Sequence, residues 1–280
     1  MKNLKIKSYA KINLSLNITG KSYNMHKIES LVAFIDLYDI IAIREIKSKK
    51  NNISFIGKFS KNIGKVNTVS KLIQILEQKN LLNKKYSINI KKKIPLKAGL
   101  GGGSMNASNL LKFFIKKKII KINKKEIIKI CKLIGSDVIL GLNSVNSILT
   151  SNGKVKYFSN CKKYHILAIK PSFGCSTKEI YLKVRKFDKS QFLKPSKKMF
   201  DFEYLKGLKN SLEPIVISKF PKLKKIKSYL ENLDQVNFVR MTGSGSAFIA
   251  YFQSKKYCDI AKKNFSRKYK NYWCITSKTI

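Results

Sequence analysis

Apolar and polar positions alternate strictly in the segment that follows Ala10. The apolar positions are Ile12, Leu14, Leu16 and Ile18, and the polar positions between them are Lys11, Asn13, Ser15 and Asn17. Because successive side chains of a strand point to opposite faces, a period of two predicts a half-buried strand. Its polar face would hold Lys11 and Asn13 side by side.

Helical spacing of apolar residues marks two further stretches of the first half. One follows Asn67 and Thr68, either of which is a good N-cap residue, and the other is closed by Gly135. Ser136-Asp137-Val138 comes next and predicts another short helix, where an aspartate is most often a cap. The remaining predictions are a turn at 19–27, an apolar segment at 28–43, a hairpin or loop at 51–65, a strand at 86–90 and a hairpin at 147–158 that turns at Asn152-Gly153.

The second half has similar patterns, and the first domain is expected to close near residue 157. The predicted elements are a strand at 165–169, a helix that starts at the capping box Ser176-Thr177-Lys178-Glu179, a charged surface loop at 186–198, helices at 205–218 and 223–233, and strands at 236–241 and 247–252. The glycine turn 242–246 joins the last two strands. This turn is interpreted either as a hairpin or as a second anion contact.

A glycine-rich segment lies between the strand at 86–90 and a helix-like pattern that begins near Ala107. Four of the five residues from Gly99 to Gly103 are glycines, which cost backbone entropy on folding. Such a segment lets several N–H groups approach an anion at a helix N-terminus. The alternative is a flexible turn, but the position before a helix favours a phosphate-binding loop. The segment lacks the Gly-Lys-Ser/Thr ending of a Walker loop, and Ser104 breaks a GxGxxG pattern.

The chain is strongly basic. It has 280 residues with 59 Lys+Arg against 15 Asp+Glu, for a net charge of +44. This excess raises a nucleic-acid or membrane partner as an alternative. However, the chain has only four arginines, which are Arg44, Arg185, Arg240 and Arg267, and its lysines are spread along its whole length. Compositional drift toward lysine is therefore the simpler explanation, and the positive field would still attract a polyanionic small substrate.

Cysteines and hydropathy indicate a cytoplasmic protein. The five cysteines show no paired spacing, which favours reduced thiols, and two histidines are too few for a zinc cluster. No metal-ligating side chain is therefore expected. No apolar run approaches the roughly 18 residues of a membrane span, and the first residues lack the apolar core of a signal peptide.

Several motifs in order resemble the GHMP family of small-molecule kinases. They are Tyr9-Ala10-Lys11-Ile12-Asn13-Leu14, then Ile18-Thr19-Gly20, then His26, then Pro95-Leu96-Lys97-Ala98-Gly99-Leu100-Gly101-Gly102-Gly103-Ser104-Met105-Asn106, then Gly135-Ser136-Asp137-Val138, and finally Arg240-Met241-Thr242-Gly243-Ser244-Gly245. The resemblance covers nearly the whole chain and is closest to the family members of the non-mevalonate isoprenoid pathway. It implies an α+β, two-domain fold: a ribosomal-protein-like N-terminal domain at 1–157 and a ferredoxin-like C-terminal domain at 158–280.

The same resemblance implies an ATP-dependent kinase that phosphorylates the 2-hydroxyl of a diphosphocytidyl polyol. ATP, with Mg²⁺ carried on its phosphates, would bind to residues 95–106. Asp137 would accept the hydroxyl proton and Lys11 would steady the developing charge. The substrate would be held by Asn13, His26, Thr242, Gly243 and Ser244. The implied partner is this small molecule, with no specific nucleic acid and no membrane, and the protein would be a monomer or a weak homodimer.

Some positions depart from the family pattern. Met25 stands where the family has a tyrosine, and Tyr23-Asn24 where it has Asp-Gly, so a ring that would stack on cytosine is absent from its expected position. Ile139 replaces a proline, and Met105 replaces a serine, which is interpreted as a packing change. The alternatives are a GHMP kinase for another small alcohol and a lysine-rich nucleic-acid-binding protein.

Overall fold

A computed structural model describes residues 4–23 and 25–280 and contains both helices and strands. The strands are β1 (Leu4–Ser22), β2 (Met25–Ile46), β3 (Asn52–Ile56), β4 (Lys85–Lys91), β5 (Asn146–Leu149), β6 (Val155–Phe158), β7 (His165–Lys170), β8 (Phe238–Met241), β9 (Phe248–Phe252) and β10 (Trp273–Lys278). The α-helices are α1 (Thr68–Gln78), α2 (Gly102–Lys116), α3 (Lys124–Ile134), α4 (Thr177–Leu182), α5 (Phe202–Lys206), α6 (Glu213–Lys219), α7 (Lys222–Glu231) and α8 (Lys255–Lys268). Two 3₁₀ helices span Val138–Leu142 and Lys197–Phe200.

The chain forms two compact units whose sequences interleave. The first unit comprises residues 1–10, 37–95 and 101–144, and the second comprises 11–36, 96–100 and 145–280. Strands β1 and β2 contribute residues to both. The domain boundary near residue 157 stays a prediction, because these units are not separated at a single position of the chain.

The first unit is a sheet covered by helices. Within it β4 pairs antiparallel with residues 40–46 of β2 and parallel with β3. Helices α1, α2 and α3 pack on this sheet around buried aliphatic and aromatic side chains such as Leu72, Leu110 and Phe114. The predicted start of α1 is confirmed, since Asn67 is its N-cap and exchanges capping-box hydrogen bonds with Ser70. The predicted end of α3 at Gly135 is also confirmed.

The second unit contains a four-stranded antiparallel sheet in the order β10-β7-β9-β8. Leu167, Ile169 and Phe248 of this sheet share one core with apolar residues of α6, α7 and α8. The β8–β9 hairpin around the glycine turn confirms the first interpretation of that turn. Residues 30–32 of β2 pair with β5, which pairs with β6, so the predicted hairpin at 147–158 is confirmed. Together the two units confirm the α+β class.

Three predicted segments differ from the structure. The turn predicted at 19–27 is mostly strand, because β1 continues to Ser22 and β2 begins at Met25. The hairpin or loop predicted at 51–65 contains β3, which is parallel to β4. The helix predicted at 205–218 is two short helices, α5 and α6, separated by a segment in which Asn210 and Ser211 hydrogen bond to neighbouring backbone.

The polar face of β1 is buried, so the prediction of a half-buried strand is wrong. Lys11 is 2% exposed and Asn13 is 3% exposed, and Ser15 and Asn17 are also buried. A row of buried polar groups needs hydrogen-bond partners, because an unpaired buried polar group costs about 1–3 kcal/mol. Lys11 and Asn13 bond to Leu100 and Thr242, which belong to the motifs, whereas Ser15 bonds to Lys209.

Candidate active site

The glycine-rich loop ends at the N-terminus of α2 in the first unit. Gly101 is the N-cap residue, has a left-handed backbone with φ of 69°, and provides no side-chain cap. The first amides of a helix have no intrahelical acceptor, so this N-terminus presents N–H groups and a positive dipole end. No acidic residue lies in the first turn to occupy them. This geometry suits an anion such as a phosphate.

A buried carboxylate, Asp39 in β2, links the segment before the loop to α2. Its oxygens accept hydrogen bonds from the N–H groups of Lys93 and Ile94, at 2.7 and 2.9 Å, and from Asn106 Nδ2 at 3.0 Å. The ammonium of Lys92 forms a buried ion pair with the same carboxylate. The Lys92 ammonium also lies beside Gly102, because it is 3.2 Å from the position that a Cβ would take there. Sequence reasoning missed Asp39 and Lys92, since nothing in their local pattern distinguishes them from other charged residues.

Asp39→Asn is expected to destabilise the protein by about 3–5 kcal/mol, because it leaves the buried Lys92 ammonium without its countercharge. The dissociation constant for inorganic phosphate at the N-terminus of α2 should also rise, since Asp39 supports both ends of the loop. Urea unfolding and phosphate titration measure the two effects. Asp234→Asn, at an exposed position, is the matched control. Unchanged stability in Asp39→Asn would contradict this role for the carboxylate.

Asp137 lies at the start of the 3₁₀ helix Val138–Leu142 in the first unit. It occupies the N-cap position, and its side chain makes no capping hydrogen bond. The 3₁₀ helix packs closely on α2 through Gly141. A Cβ on Gly141 would lie 2.8 Å from Ser108 Cβ and 2.9 Å from the sulfur of Met105. Met105 is buried at this contact, which places its side chain in the helix packing.

In the second unit, Thr242 links β1 to the glycine-rich loop. Its hydroxyl accepts a hydrogen bond from the N–H of Asn13 at 3.0 Å. The same hydroxyl lies within donating distance of the Gly99 carbonyl oxygen, at 3.1 Å, and of Asn13 Oδ1, at 3.4 Å. Thr242 therefore positions a candidate substrate-binding residue and the loop at once.

Lys11 is part of the same hydrogen-bond network and is not an ordinary surface lysine. Its ammonium donates to Asn13 Oδ1 at 2.5 Å, and its N–H donates to the Leu100 carbonyl at 3.1 Å. The Asn13 amide in turn donates to Ser30 Oγ at 2.8 Å. These bonds fix the rotamers of both side chains, which gives a rigid polar site on the buried face of β1.

The loop residues 97–99 pack directly against the second glycine turn. The Lys97 carbonyl accepts hydrogen bonds from the N–H groups of Ser246 and Cys175, each at 3.3 Å. Gly99 has φ of 73°, and a Cβ there would lie 1.9 Å from the Thr242 carbonyl oxygen. A Cβ on Gly243 would lie 3.0 Å from Gly99 Cα. Both glycines are therefore required for the close approach of two backbones.

Asn210 and Glu213, which sequence reasoning did not assign to the site, support the second turn from behind together with Arg240 of the C-terminal motif. Asn210 Nδ2 donates to the carbonyls of Met241 and Gly243, at 2.7 and 2.8 Å. Glu213 accepts from the Met241 N–H at 2.9 Å, and the buried Arg240 donates to backbone carbonyls from its guanidinium. The local sequence signal was Asn210-Ser211-Leu212-Glu213, in which Asn210 and Glu213 are polar residues inside an apolar helical pattern.

His26 lies beside two aromatic rings in the second unit. Its ring centroid is 5.3 Å from that of Tyr181 and 6.5 Å from that of Phe187, and Phe187 is 51% exposed. Burial, together with the ammonium of Lys21, lowers the pKa of His26, which favours the neutral ring. A neutral imidazole offers one donor and one acceptor. Tyr23 is 98% exposed, and Asn24 and the side chain of Met25 lie outside the described residues.

Metal-binding groups and membrane-spanning helices are both absent from the described part of the chain. Within residues 4–23 and 25–280, no group of three or more His, Cys, Asp or Glu side chains is arranged to hold a metal ion. None of the helices in those residues is long and apolar enough to cross a membrane. All five cysteines are free thiols, as the sequence predicted.

Comparisons with known proteins agree with the motifs. Residues 67–149 match the family profile "GHMP kinases N terminal domain", and residues 186–271 match "GHMP kinases C terminal". The chain is 58% identical to the 4-diphosphocytidyl-2-C-methyl-D-erythritol kinase of Pelagibacter ubique, with 100% of both chains covered.

Solved structures show the same fold at lower identity. The chain resembles a crystal structure of 4-(cytidine 5'-diphospho)-2C-methyl-D-erythritol kinase with a TM-score of 0.78 at 22% identity, covering 98% of this chain and 99% of that one. It also resembles homoserine kinase from Cytophaga hutchinsonii, with a TM-score of 0.73 at 15% identity and coverages of 100% and 95%. The fold is therefore shared by kinases of different alcohols. With matches to both family profiles and a full-length relative at 58% identity, the chain belongs to the GHMP kinase family.

Proposed function

We propose that this protein transfers the γ-phosphoryl group of ATP to the 2-hydroxyl of 4-diphosphocytidyl-2-C-methyl-D-erythritol, in the methylerythritol phosphate route to isoprenoid precursors. The observation that carries the proposal is the 4-diphosphocytidyl-2-C-methyl-D-erythritol kinase of Pelagibacter ubique, to which the chain is 58% identical over its whole length. The fold alone would not select this substrate, because a homoserine kinase shares it.

ATP binds with its phosphates on residues 95–106 in this proposal. The left-handed N-cap Gly101 and the uncapped first turn of α2 support a phosphate at this position. The buried Lys92 ammonium, which is paired with Asp39, lies beside Gly102 at the start of the helix. Mg²⁺ carried on the ATP phosphates would neutralise part of their charge, and we assign no side chain as its ligand.

Lys11 and Asp137 act on the acceptor hydroxyl in this mechanism. Asp137 takes the hydroxyl proton as the oxygen forms its bond to the γ-phosphorus, and the bond from that phosphorus to the bridging oxygen of ADP breaks. Lys11 stabilises the negative charge that develops on the transferred group. The hydrogen bond from Lys11 to Asn13 supports a fixed position for the ammonium, and Asn13 holds the polyol.

The cytosine base binds near His26, whose neutral ring can both donate and accept a hydrogen bond. Tyr181 and Phe187, whose rings are next to His26, provide the aromatic surface that Met25 does not. Thr242, Gly243 and Ser244 line the phosphate side of the substrate. The support for Thr242 and Gly243 is their contact with Asn13 and Gly99.

The cellular setting belongs to the same proposal. We place the protein in the cytoplasm as a monomer or weak homodimer that acts on a small molecule, without a specific nucleic-acid or membrane partner. Five free thiols are what a reducing compartment favours. The net charge of +44 attracts a substrate that carries a diphosphate and a cofactor that carries a triphosphate.

A substrate panel tests the proposal. With ATP and Mg²⁺, kcat/KM should be highest for the diphosphocytidyl substrate and much lower for homoserine, mevalonate and galactose. Removing the cytidine should raise KM by about 5- to 150-fold, the range expected when aromatic stacking on one base is lost. A preference for an unactivated alcohol would overturn the substrate assignment and leave the family assignment intact.

A further inference from the structure

A buried carboxylate in β2 anchors the loop that carries Phe187. Glu29 is 0% exposed, and its two oxygens accept four hydrogen bonds. Three come from the segment after Phe187: the Ser190 hydroxyl at 2.7 Å and the N–H groups of Gln191 and Phe192 at 2.7 and 3.3 Å. The fourth comes from Asn17 Nδ2 in β1 at 3.0 Å.

The same loop has a second attachment immediately after Phe187. The N–H of Asp188 donates to the Ile18 carbonyl at 2.7 Å, and the Asp188 carboxylate accepts from the Ile18 N–H at 3.1 Å. The Ser211 hydroxyl and the Lys209 ammonium also bind this carboxylate. Burial opposes the ionisation of Asp188, yet these bonds hold its pKa below the ordinary value. The charged stretch 186–198 was predicted to be a plain surface loop, but two carboxylates fix it to β1 and β2.

These attachments have a consequence for Phe187, whose ring lies beside that of His26. An exposed aromatic ring on an unanchored loop would lose rotational and backbone freedom each time it bound a base, and that ordering opposes affinity. Glu29 stands three residues from His26 on β2, so one strand carries both the candidate base-binding histidine and the anchor of the facing loop.

We propose that Glu29 is a positioning residue for nucleobase recognition. It holds residues 190–192 on the strand that carries His26, and thereby keeps the Phe187 ring in place beside that histidine. The inference rests on the proposed function, because it assigns Glu29 to the binding of the cytidine half of the substrate. Glu29 contacts neither the reacting atoms nor ATP in this role.

Glu29→Gln tests the proposal, because glutamine keeps the size of the side chain but turns an amide NH₂ toward the donors of the loop. The KM for the diphosphocytidyl substrate and the Ki for cytidine 5'-diphosphate should both rise about 5- to 100-fold, as expected for weakened base stacking. The kcat and the KM for ATP should stay unchanged. Glu203→Gln, in an exposed ion pair with Lys206, is the matched control. Ser190→Ala is a milder variant that removes one of the four hydrogen bonds and should shift the same constants less.

Two further readouts separate positioning from general stability. Limited trypsin digestion after Lys186 and Lys189 should be faster in Glu29→Gln than in wild type, because the loop is released. In a double-mutant cycle, the KM increase of the variant that carries both Glu29→Gln and Phe187→Ala should be smaller than the two single-variant effects combined, since both substitutions act on one ring. Fully additive effects, an unchanged substrate KM, or equal rises in KM for substrate and ATP would each overturn the proposal.

Failure of the proposed function itself would be visible in the wild-type enzyme, which would then not phosphorylate the cytidine substrate. The trypsin comparison, by contrast, tests the anchor without any substrate.

Discussion

Asp137→Asn should lower kcat by about 10²- to 10⁴-fold, the usual contribution of a positioned general base. Asparagine has nearly the same shape but cannot accept the proton of the acceptor hydroxyl. Because the two side chains have the same size, the substitution should leave the fold of the 3₁₀ helix Val138–Leu142 intact. Steady-state kinetics measure the rate, and calorimetric titration with a non-hydrolysable ATP analogue and the substrate measures binding.

The binding measurements make this prediction specific. Dissociation constants for both ligands should change much less than kcat, which assigns the loss to the chemical step. Asp259→Asn, an exposed aspartate on α8, is the matched control and should behave as wild type. An Asp137→Asn enzyme with full kcat would contradict the role of Asp137 as proton acceptor.

Gly99→Ala should abolish ATP-dependent activity and destabilise the protein by about 2–5 kcal/mol. The loss of stability has two causes, because alanine disfavours the left-handed backbone and its Cβ would clash with the packed backbone. The added Cβ would lie 1.9 Å from the Thr242 carbonyl oxygen, so either the loop or the turn must move. Thr242 also bonds to Asn13, and for that reason the displacement would reach the substrate side of the site. Chemical denaturation and ATP titration measure the two losses.

Gly153→Ala is an unusually close control for this prediction. Gly153 has φ of 78° against 73° for Gly99, but a Cβ on Gly153 meets nothing within 4 Å. It should therefore show only the backbone cost, about 1–2 kcal/mol, with full activity. Equal behaviour of the two variants would mean that contact with the second turn does not matter.

Segments with a strong hydrophobic period were predictable from the sequence. Helices α1 and α3 and the strands around the second glycine turn follow directly from which residues must share a buried face. The weakly patterned segments were not. β3 is a short strand that pairs with β4, more than 30 positions later in the chain. This pairing depends on tertiary structure and cannot be predicted from the local sequence pattern.

The residue types of the candidate site were predictable from the sequence, but the hydrogen-bond partners that hold them in place were not. Alternation places Lys11 and Asn13 on one face, but it does not reveal what covers that face. The hydrogen bond to Asn13 comes from Thr242, 229 positions away in the sequence. Asp39, Asn210 and Glu29 were missed for the same reason, because a buried polar residue is recognised by its partners and these lie far along the chain.

The most direct test of the central claim is to identify the product of the wild-type protein. Incubation with ATP, Mg²⁺ and 4-diphosphocytidyl-2-C-methyl-D-erythritol should release one ADP for each substrate consumed. Phosphorus NMR should show a new phosphomonoester on the 2-hydroxyl, with the diphosphate intact. Absence of turnover, or a phosphate on any other hydroxyl, would contradict the proposed function.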